Sequence, residues 1–248
     1  MSSKPKADVL ILAAGFGKRL RPLTETIPKP LVEVGGRALI EWNLDHIKRA
    51  GFSRVFVNCH YLSEKVFEYF SSREKDTLTI ELVEESPDIL DTGGAILNIK
   101  NKLEHDSLLT LNGDAMFDDS LDLAKLVNSH SESPDTPVST MLLRDAPDKE
   151  AYGLIGFNQD GQVISFLSKD YFGEKPETEL MYTGVQVLSR EVFDFMPSEP
   201  GTIFSITRDT YPKLLAAKGR VQAQVYGGYF NDVGTPQRLA EVKKHLLA

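Results

Sequence analysis

Apolar and polar positions along the first half of the chain predict strands and helices in turn. Residues 8–13 form a short apolar run of the kind that makes a buried strand. Leu39, Ile40, Leu44 and Ile47 return at helical spacing, and Gly51 closes that helix. The pattern then predicts a strand over 54–58, a helix over 63–70, a strand over 78–83, and a helix over 93–101 with Thr92 placed to cap it. A strand over 107–112 and a helix over 121–129 follow. Such alternation predicts an α/β fold with a mostly parallel sheet and helices on both faces. Ligands of these sheets bind beyond the carboxyl ends of the strands, and Ala14, Glu85 and Asp114 all fall just past such ends.

The second half has more hairpin character. Residues 153–157 and 163–167 flank an Asp160-Gly161 turn, and 181–188 is a further strand. Helices are expected over 190–195 and near 206–217, where Pro212 either disturbs the helix or marks its first turn. Strands over 221–225 and 229–232 precede a last helix. Thr235 caps that helix, Pro236 takes its first position, and Leu239, Val242 and Leu246 form its apolar face. The loosest stretches are 131–136 and 169–179. With no internal repeat and no low-complexity linker, the 248 residues read as one domain.

Composition narrows the function classes. A net charge of -8 argues against broad nucleic-acid binding, which needs a basic face. No apolar run is long enough to span a membrane, and residues 1–7 are polar, unlike a signal peptide. The single cysteine, Cys59, excludes an internal disulfide and fits a reducing, cytoplasmic setting.

The chemistry concentrates where the first strand ends. Gly15 and Gly17 remove side chains that would block a close approach, so main-chain N–H groups can face phosphate oxygens. Lys18, Arg19, Arg21 and Lys29 add positive charge, and Lys29 sits on a stiff loop between Pro28 and Pro30. Leu20 stands where a dinucleotide fingerprint needs glycine, and Arg19 stands where a Walker A loop needs Ser or Thr. Asp114 ends a buried strand and Asp232 precedes the last helix; both offer the hard oxygen that Mg²⁺ takes, and two such aspartates meet at one ion if their strands end on one rim.

Residues 12–24 followed by Pro28-Lys29-Pro30-Leu31 resemble the signature of the sugar-phosphate nucleotidylyltransferases. The resemblance continues through Asp91-Thr92-Gly93-Gly94, Asn112-Gly113-Asp114 and Asp232-Val233-Gly234-Thr235. It implies a Rossmann-like three-layer sandwich around a mixed, mostly parallel sheet. The nucleotide-binding half would span about 1–118 and the sugar-phosphate half about 119–248, with no carboxy-terminal β-helix. The implied partners are a nucleoside triphosphate and a sugar 1-phosphate, with Mg²⁺ as cofactor, in a monomer or small homo-oligomer.

By the same resemblance, Leu12, Ala14, Gly15, Gly17, Lys18, Arg19 and Lys29 hold the nucleotide, together with Glu85, Gly93 and Gly94 around the base. Ser86 is the alternative to Glu85. Arg19, Lys29 and Asp114 are the catalytic set, and Asp114 and Asp232 the metal ligands. Asn112, Gly153 (after Tyr152), Lys169 and Gly184 take the sugar phosphate, with Lys175 as the alternative lysine. Within the family the likeness is nearest to N-acetylmuramate 1-phosphate uridylyltransferase, implying UTP and N-acetylmuramate 1-phosphate; mannose- or heptose-1-phosphate guanylyl transfer is the alternative. A catalytically silent, nucleotide-sensing relative would be expected to lack the phosphate or metal residues, and Arg19, Lys29, Asp114 and Asp232 are all present.

Overall fold

The computed structural model describes residues 4–74, 76–133, 135–146 and 153–247. The first half runs β1 (Asp8–Leu12), a small hairpin of β2 (Glu33–Val34) and β3 (Arg37–Ala38), α1 (Leu39–Arg49), β4 (Arg54–Cys59), α2 (Ser63–Ser72), β5 (Thr79–Glu84), α3 (Asp91–Asn98), β6 (Ser107–Asn112) and β7 (Ala115–Phe117). The second half continues with α4 (Leu123–Ser131), β8 (Ser139–Arg144), β9 (Leu154–Phe157), β10 (Val163–Phe166), β11 (Lys169–Asp170) and β12 (Thr178–Ser189). It ends with α5 (Tyr211–Ala216), β13 (Val221–Val225), β14 (Phe230–Asp232) and α6 (Pro236–His245). Among the described residues no helix is long and apolar enough to cross a membrane.

Ten strands of the described residues join in one mixed sheet. Its main path is β11-β10-β9-β12-β6-β1-β4-β5, with β8 on β12 and β13 on β8. The β6-β1-β4-β5 half is wholly parallel. Along β1 the side chains alternate between the two apolar layers: Leu10 packs in one, Val9 and Ile11 in the other. That period of two, buried on both sides, explains why β1 reads as a continuous apolar run.

Strand β12 joins the halves. Its first residues pair with β9 and its last with β6, both antiparallel, and its register against β8 shifts between Tyr182 and Gln186. Gly184 sits in that irregularity with φ of 83°, a conformation that a side chain resists. A Cβ there would also lie 2.3 Å from Asn112 Nδ2. The bend therefore brings the second half of the sheet directly against the end of β6.

Several elements differ from the sequence expectation. Helix α3 starts at Asp91 with no side-chain cap; the Thr92 hydroxyl instead accepts from Ile206 N at 3.1 Å. Residues 190–195 form a 3-10 helix, not an α-helix. The 206–217 helix is a π turn over Ile206–Thr210 followed by α5, with Pro212 in the first turn of α5, where its missing N–H is not needed. Strands β7 and β8 were not expected, and Tyr152 lies outside the described residues.

The buried Tyr211 hydroxyl links Ser139 of β8, at 2.6 Å, to Gln186 of β12. All three residues are essentially inaccessible to water. Tyr211→Phe is expected to destabilise the fold by about 1–3 kcal/mol, because Ser139 and Gln186 lose a partner that water cannot replace. Urea unfolding midpoints at constant m-value measure it.

Candidate active site

The carboxyl ends of the parallel strands open into a cleft of about 570 Å³. Leu12, Ala14, Gly15, Gly17, Lys18 and Arg19 line one side of it, with Lys29 beyond. Asn112 and Asp114 close the β6 end, and Glu85 the β5 end. These expected site residues, drawn from four separate segments, thus share one cavity.

The glycine loop is held from behind. Gly17 has φ of 63°, and a Cβ on it would press against Thr24 at 2.9 Å. The buried Thr24 hydroxyl donates to Gly17 O at 2.8 Å. Gly15 has nothing within 4 Å of where a Cβ would stand, so its backbone faces open space. Short 3-10 turns at Lys18–Leu20 and Lys29–Leu31 carry the cations.

Lys29 Nζ and Asp114 Oδ2 form an ion pair at 2.5 Å, with side chains 14% and 25% exposed. The guanidinium of Arg19 lies over Gly234, where a Cβ would come within 2.9 Å of Nη2. The first loop and the loop before α6 are thereby in contact. Asp232 is opposite Ala115 in the β7–β14 ribbon, and Val233 N donates to Asp114 O at 2.8 Å. Asp114, in the turn just before β7, and Asp232, at the end of β14, are therefore close along the ribbon, but the Asp232 carboxylate is ion-paired with Arg238, and Asp232 is not among the residues lining the cleft. Among the described residues there is no cluster of three or more His, Cys, Asp or Glu side chains suited to a metal.

Glu85 is buried, which pushes its carboxyl above the usual carboxylate range, while hydrogen bonds pull the other way. Asn58 Nδ2 donates to its Oε1 and Leu90 N to its Oε2, each at 2.7 Å. Asn58 Oδ1 in turn accepts from Ala13 N at 2.6 Å. A relay of three strand ends thus fixes the start of the glycine loop. Sequence reasoning missed Asn58; its only signal is an amide at the carboxyl end of an otherwise apolar strand.

Gly93 and Gly94 do not line the cleft. Both donate their N–H groups to Phe204 O, at 2.9 and 3.2 Å, so neither is free for a base. They let the 202–206 segment lie on the start of α3, where a Cβ on either would collide with Phe204 or Thr202. Asp91, Thr92, Ile89 and Ile203 form this wall instead.

The sugar-side expectations divide. Gly184 packs against Asn112, which lines the cleft, but does not itself line it. Gly153 packs under Leu167, Lys169 lies 4.9 Å from the Tyr171 ring centroid, and Lys175 is exposed; none of the three lines the cleft.

Residues 8–248 match the family model described as nucleotidyl transferase. The chain is 34% identical over 235 residues to mannose-1-phosphate guanylyltransferase of Mycobacterium tuberculosis, covering 94% of this chain and 62% of that protein. It is 32% identical over 244 residues to the bifunctional protein GlmU of Methanococcus maripaludis, covering 97% of this chain and 54% of that protein. The chain therefore spans less than two thirds of these relatives' length. The crystal structure of HddC from Yersinia pseudotuberculosis complexed with GMP-PN superposes with a TM-score of 0.79 at 25% identity, covering 97% of this chain and 99% of that one.

The Asn58 relay generates a pH test. Asn58→Asp would put a second carboxylate beside Glu85, and two carboxylates at hydrogen-bond distance share one proton, so one folded-state pKa rises above its unfolded value. A raised carboxyl pKa costs stability at high pH and stops costing it as pH falls through that pKa. The stability deficit of Asn58→Asp against the parent is expected to be largest at pH 7 and to shrink toward about pH 5. Urea titrations at the two pH values read it.

Proposed function

We propose that this chain, which belongs to the sugar-phosphate nucleotidylyltransferase family, transfers a nucleotidyl group from a nucleoside triphosphate to a sugar 1-phosphate and releases pyrophosphate. The observation that carries the reading is the bare Gly15 loop in one cleft with Arg19 and the Lys29–Asp114 ion pair. It is a site built to bring phosphates together, with no activated nucleophile of the protein's own.

A sugar-phosphate oxygen attacks the α-phosphorus; the new P–O bond forms as the bond to the β-phosphate's bridging oxygen breaks, and the electron pair leaves with pyrophosphate. A phosphate monoester with a second pKa near ~6 is already mostly a dianion, so no general base is needed. The barrier lies in aligning two polyanions, which makes catalysis a matter of position and charge. Backbone N–H groups of the Gly15 loop and the Arg19 guanidinium hold the departing phosphates. Lys29 exchanges Asp114 for the α-phosphate and neutralises the charge that develops there.

The carboxylates of Asp114 and Asp232 suit magnesium, which takes one or two hard carboxylate oxygens and completes its shell with water and phosphate; three protein ligands are not required. When bound, the ion supplies charge that offsets the phosphates. Asp232 would have to exchange Arg238 for that role.

On the sugar side, Asn112 forms the floor with Gly184 packed behind it, and Lys169 or Lys175, which stand outside the cleft, would have to reach the sugar phosphate from the β10–β12 region. Two substrate pairs follow from the sequence: UTP with N-acetylmuramate 1-phosphate, and GTP with a mannose or heptose 1-phosphate. The mycobacterial relative is a guanylyltransferase of mannose 1-phosphate. The choice of base falls to the wall around Glu85 and Asp91.

Pyrophosphate release, measured with magnesium across nucleoside triphosphates and sugar 1-phosphates, tests the reading; one productive pair is expected. Lys29→Ala and Asp114→Asn should each lower kcat/KM by about 10²–10³-fold with the fold intact by circular dichroism. Unchanged turnover in Lys29→Ala would overturn the mechanism. Lys169→Ala should raise KM for the sugar phosphate and leave KM for the nucleotide; if only Lys175→Ala does so, Lys175 is the contact.

A further inference from the structure

The glycine loop is bare on one side and fastened on the other. Among the described residues no acceptor meets the N–H groups of Gly15, Phe16 and Gly17. Gly15 is exposed, with open space where a side chain would stand. Successive free N–H groups make a concavity for an anion only while the loop keeps its shape. Two of these three residues are glycine, which has the most backbone freedom to lose. A loop of that composition is held in one shape by contacts from outside it.

Most of those contacts come from the turn that joins β4 to α2. Asn58 Oδ1, at the end of β4, accepts from Ala13 N at 2.6 Å. The Phe16 ring meets His60 edge-on, with centroids 5.7 Å apart and planes at 86°, and meets Tyr61 at 5.5 Å and 54°. The Tyr61 hydroxyl donates to Glu25 O at a long 3.5 Å, and Lys65 Nζ to Thr26 O at 2.5 Å. The contacts run in step along both segments: Ala13 with Asn58, Phe16 with His60 and Tyr61, Glu25 with Tyr61, Thr26 with Lys65.

The rings are the middle of this fastening, and the imidazole is itself fixed. His60 Nδ1 lies 2.8 Å from Glu85 O. A carbonyl only accepts, so Nδ1 carries the hydrogen. Glu85 N in turn donates to Cys59 O at 2.8 Å, so β4 and β5 hold each other just past their ends. The His60 ring thus stands on the sheet, and Phe16 leans on it. Aromatic pairs at such separations are favourable beyond the area they bury. Phe16 lines the cleft, whereas His60 and Tyr61 do not. Lys18 Nζ stands 5.2 Å from the centroid of the same Phe16 ring, so that ring places a cation as well as the backbone.

Resting on the transferase reading, we propose that His60 and Tyr61, acting through Phe16, are positioning residues for the triphosphate: an aromatic clamp outside the cleft that keeps the N–H groups of residues 15–17 converged before the nucleotide binds. Without the clamp the phosphates themselves have to order the loop, and that cost is subtracted from their binding. Binding of the sugar phosphate, on the Asn112 side, carries no such cost.

Titration calorimetry on the intact protein, with inorganic tripolyphosphate and magnesium as the probe, tests the clamp. Phe16→Ala and His60→Asn should each weaken binding about tenfold. His60→Asn keeps an N–H donor for Glu85 O and leaves the Lys18–Phe16 contact, but it has no ring. His60→Phe keeps a ring and gives up the donor. It should therefore bind tripolyphosphate like the parent, even where its urea midpoint falls. A role of His60 in the fold alone, through Glu85 O, predicts the reverse order. The double variant should be no weaker than Phe16→Ala, because without Phe16 the His60 ring has nothing to hold. In turnover, Phe16→Ala and His60→Asn should raise KM for the triphosphate and leave KM for the sugar phosphate. Parent-like tripolyphosphate binding by His60→Asn, or additive losses in the double variant, would overturn the clamp and leave the transferase reading standing. Failure of the parent protein to bind tripolyphosphate or any nucleoside triphosphate would overturn the transferase reading itself.

Discussion

The parallel register of β1 between β6 and β4 is the constraint on which the rest depends. Leu12 lies beside Asn112, and Ile11 beside Val57. A slip of one residue would turn Leu10 and Ile11 to the wrong apolar layers and separate the strand ends. In register, the ends of four neighbouring strands deliver Ala13, Asn58, Glu85 and Asn112 to one rim. Apolar burial on both faces sets the register, and the polar residues at the rim inherit their positions from it.

From that rim the site is assembled by exchange of partners. The Asn58–Glu85 relay consumes polar groups that would otherwise be buried without partners, and in doing so stiffens the start of the glycine loop. Lys29 and Asp114 neutralise one another in the absence of phosphate, and Asp232 is paired with Arg238. Each of these charges is thereby kept partnered by a group of opposite sign. The site is thus preorganised in position while its charges stay balanced.

The wall of the cleft formed by Ile89, Asp91, Thr92 and Ile203 has a separate origin. It comes from the second half of the chain folding back, with Phe204 bonded in both directions to the start of α3. That contact uses up the N–H groups of Gly93 and Gly94. A Thr-Gly-Gly turn suggests free donors when read along the chain, yet here its donors belong to another segment, and the carboxylates beside it become the polar feature of the wall.

The sequence by itself determined much of this protein. Period-two and helical apolar patterns gave the strands and helices of the parallel half, because local periodicity and burial on two faces leave few alternatives. The glycine loop, its cations and the strand-end aspartate were legible because they sit within a short contiguous stretch or directly after an apolar run. Only the tertiary structure decided the rest. Strands β7 and β8 carry little local signal and are fixed by partners distant in sequence. The bend of β12 at Gly184, the service of Asn58 to two other strands, the loss of the Gly93 and Gly94 donors to Phe204, and the pairing of Asp232 with Arg238 are all contacts between remote segments. Hydrogen-bond satisfaction is settled between whichever groups the fold brings together, and a chain read in order does not show which groups those are.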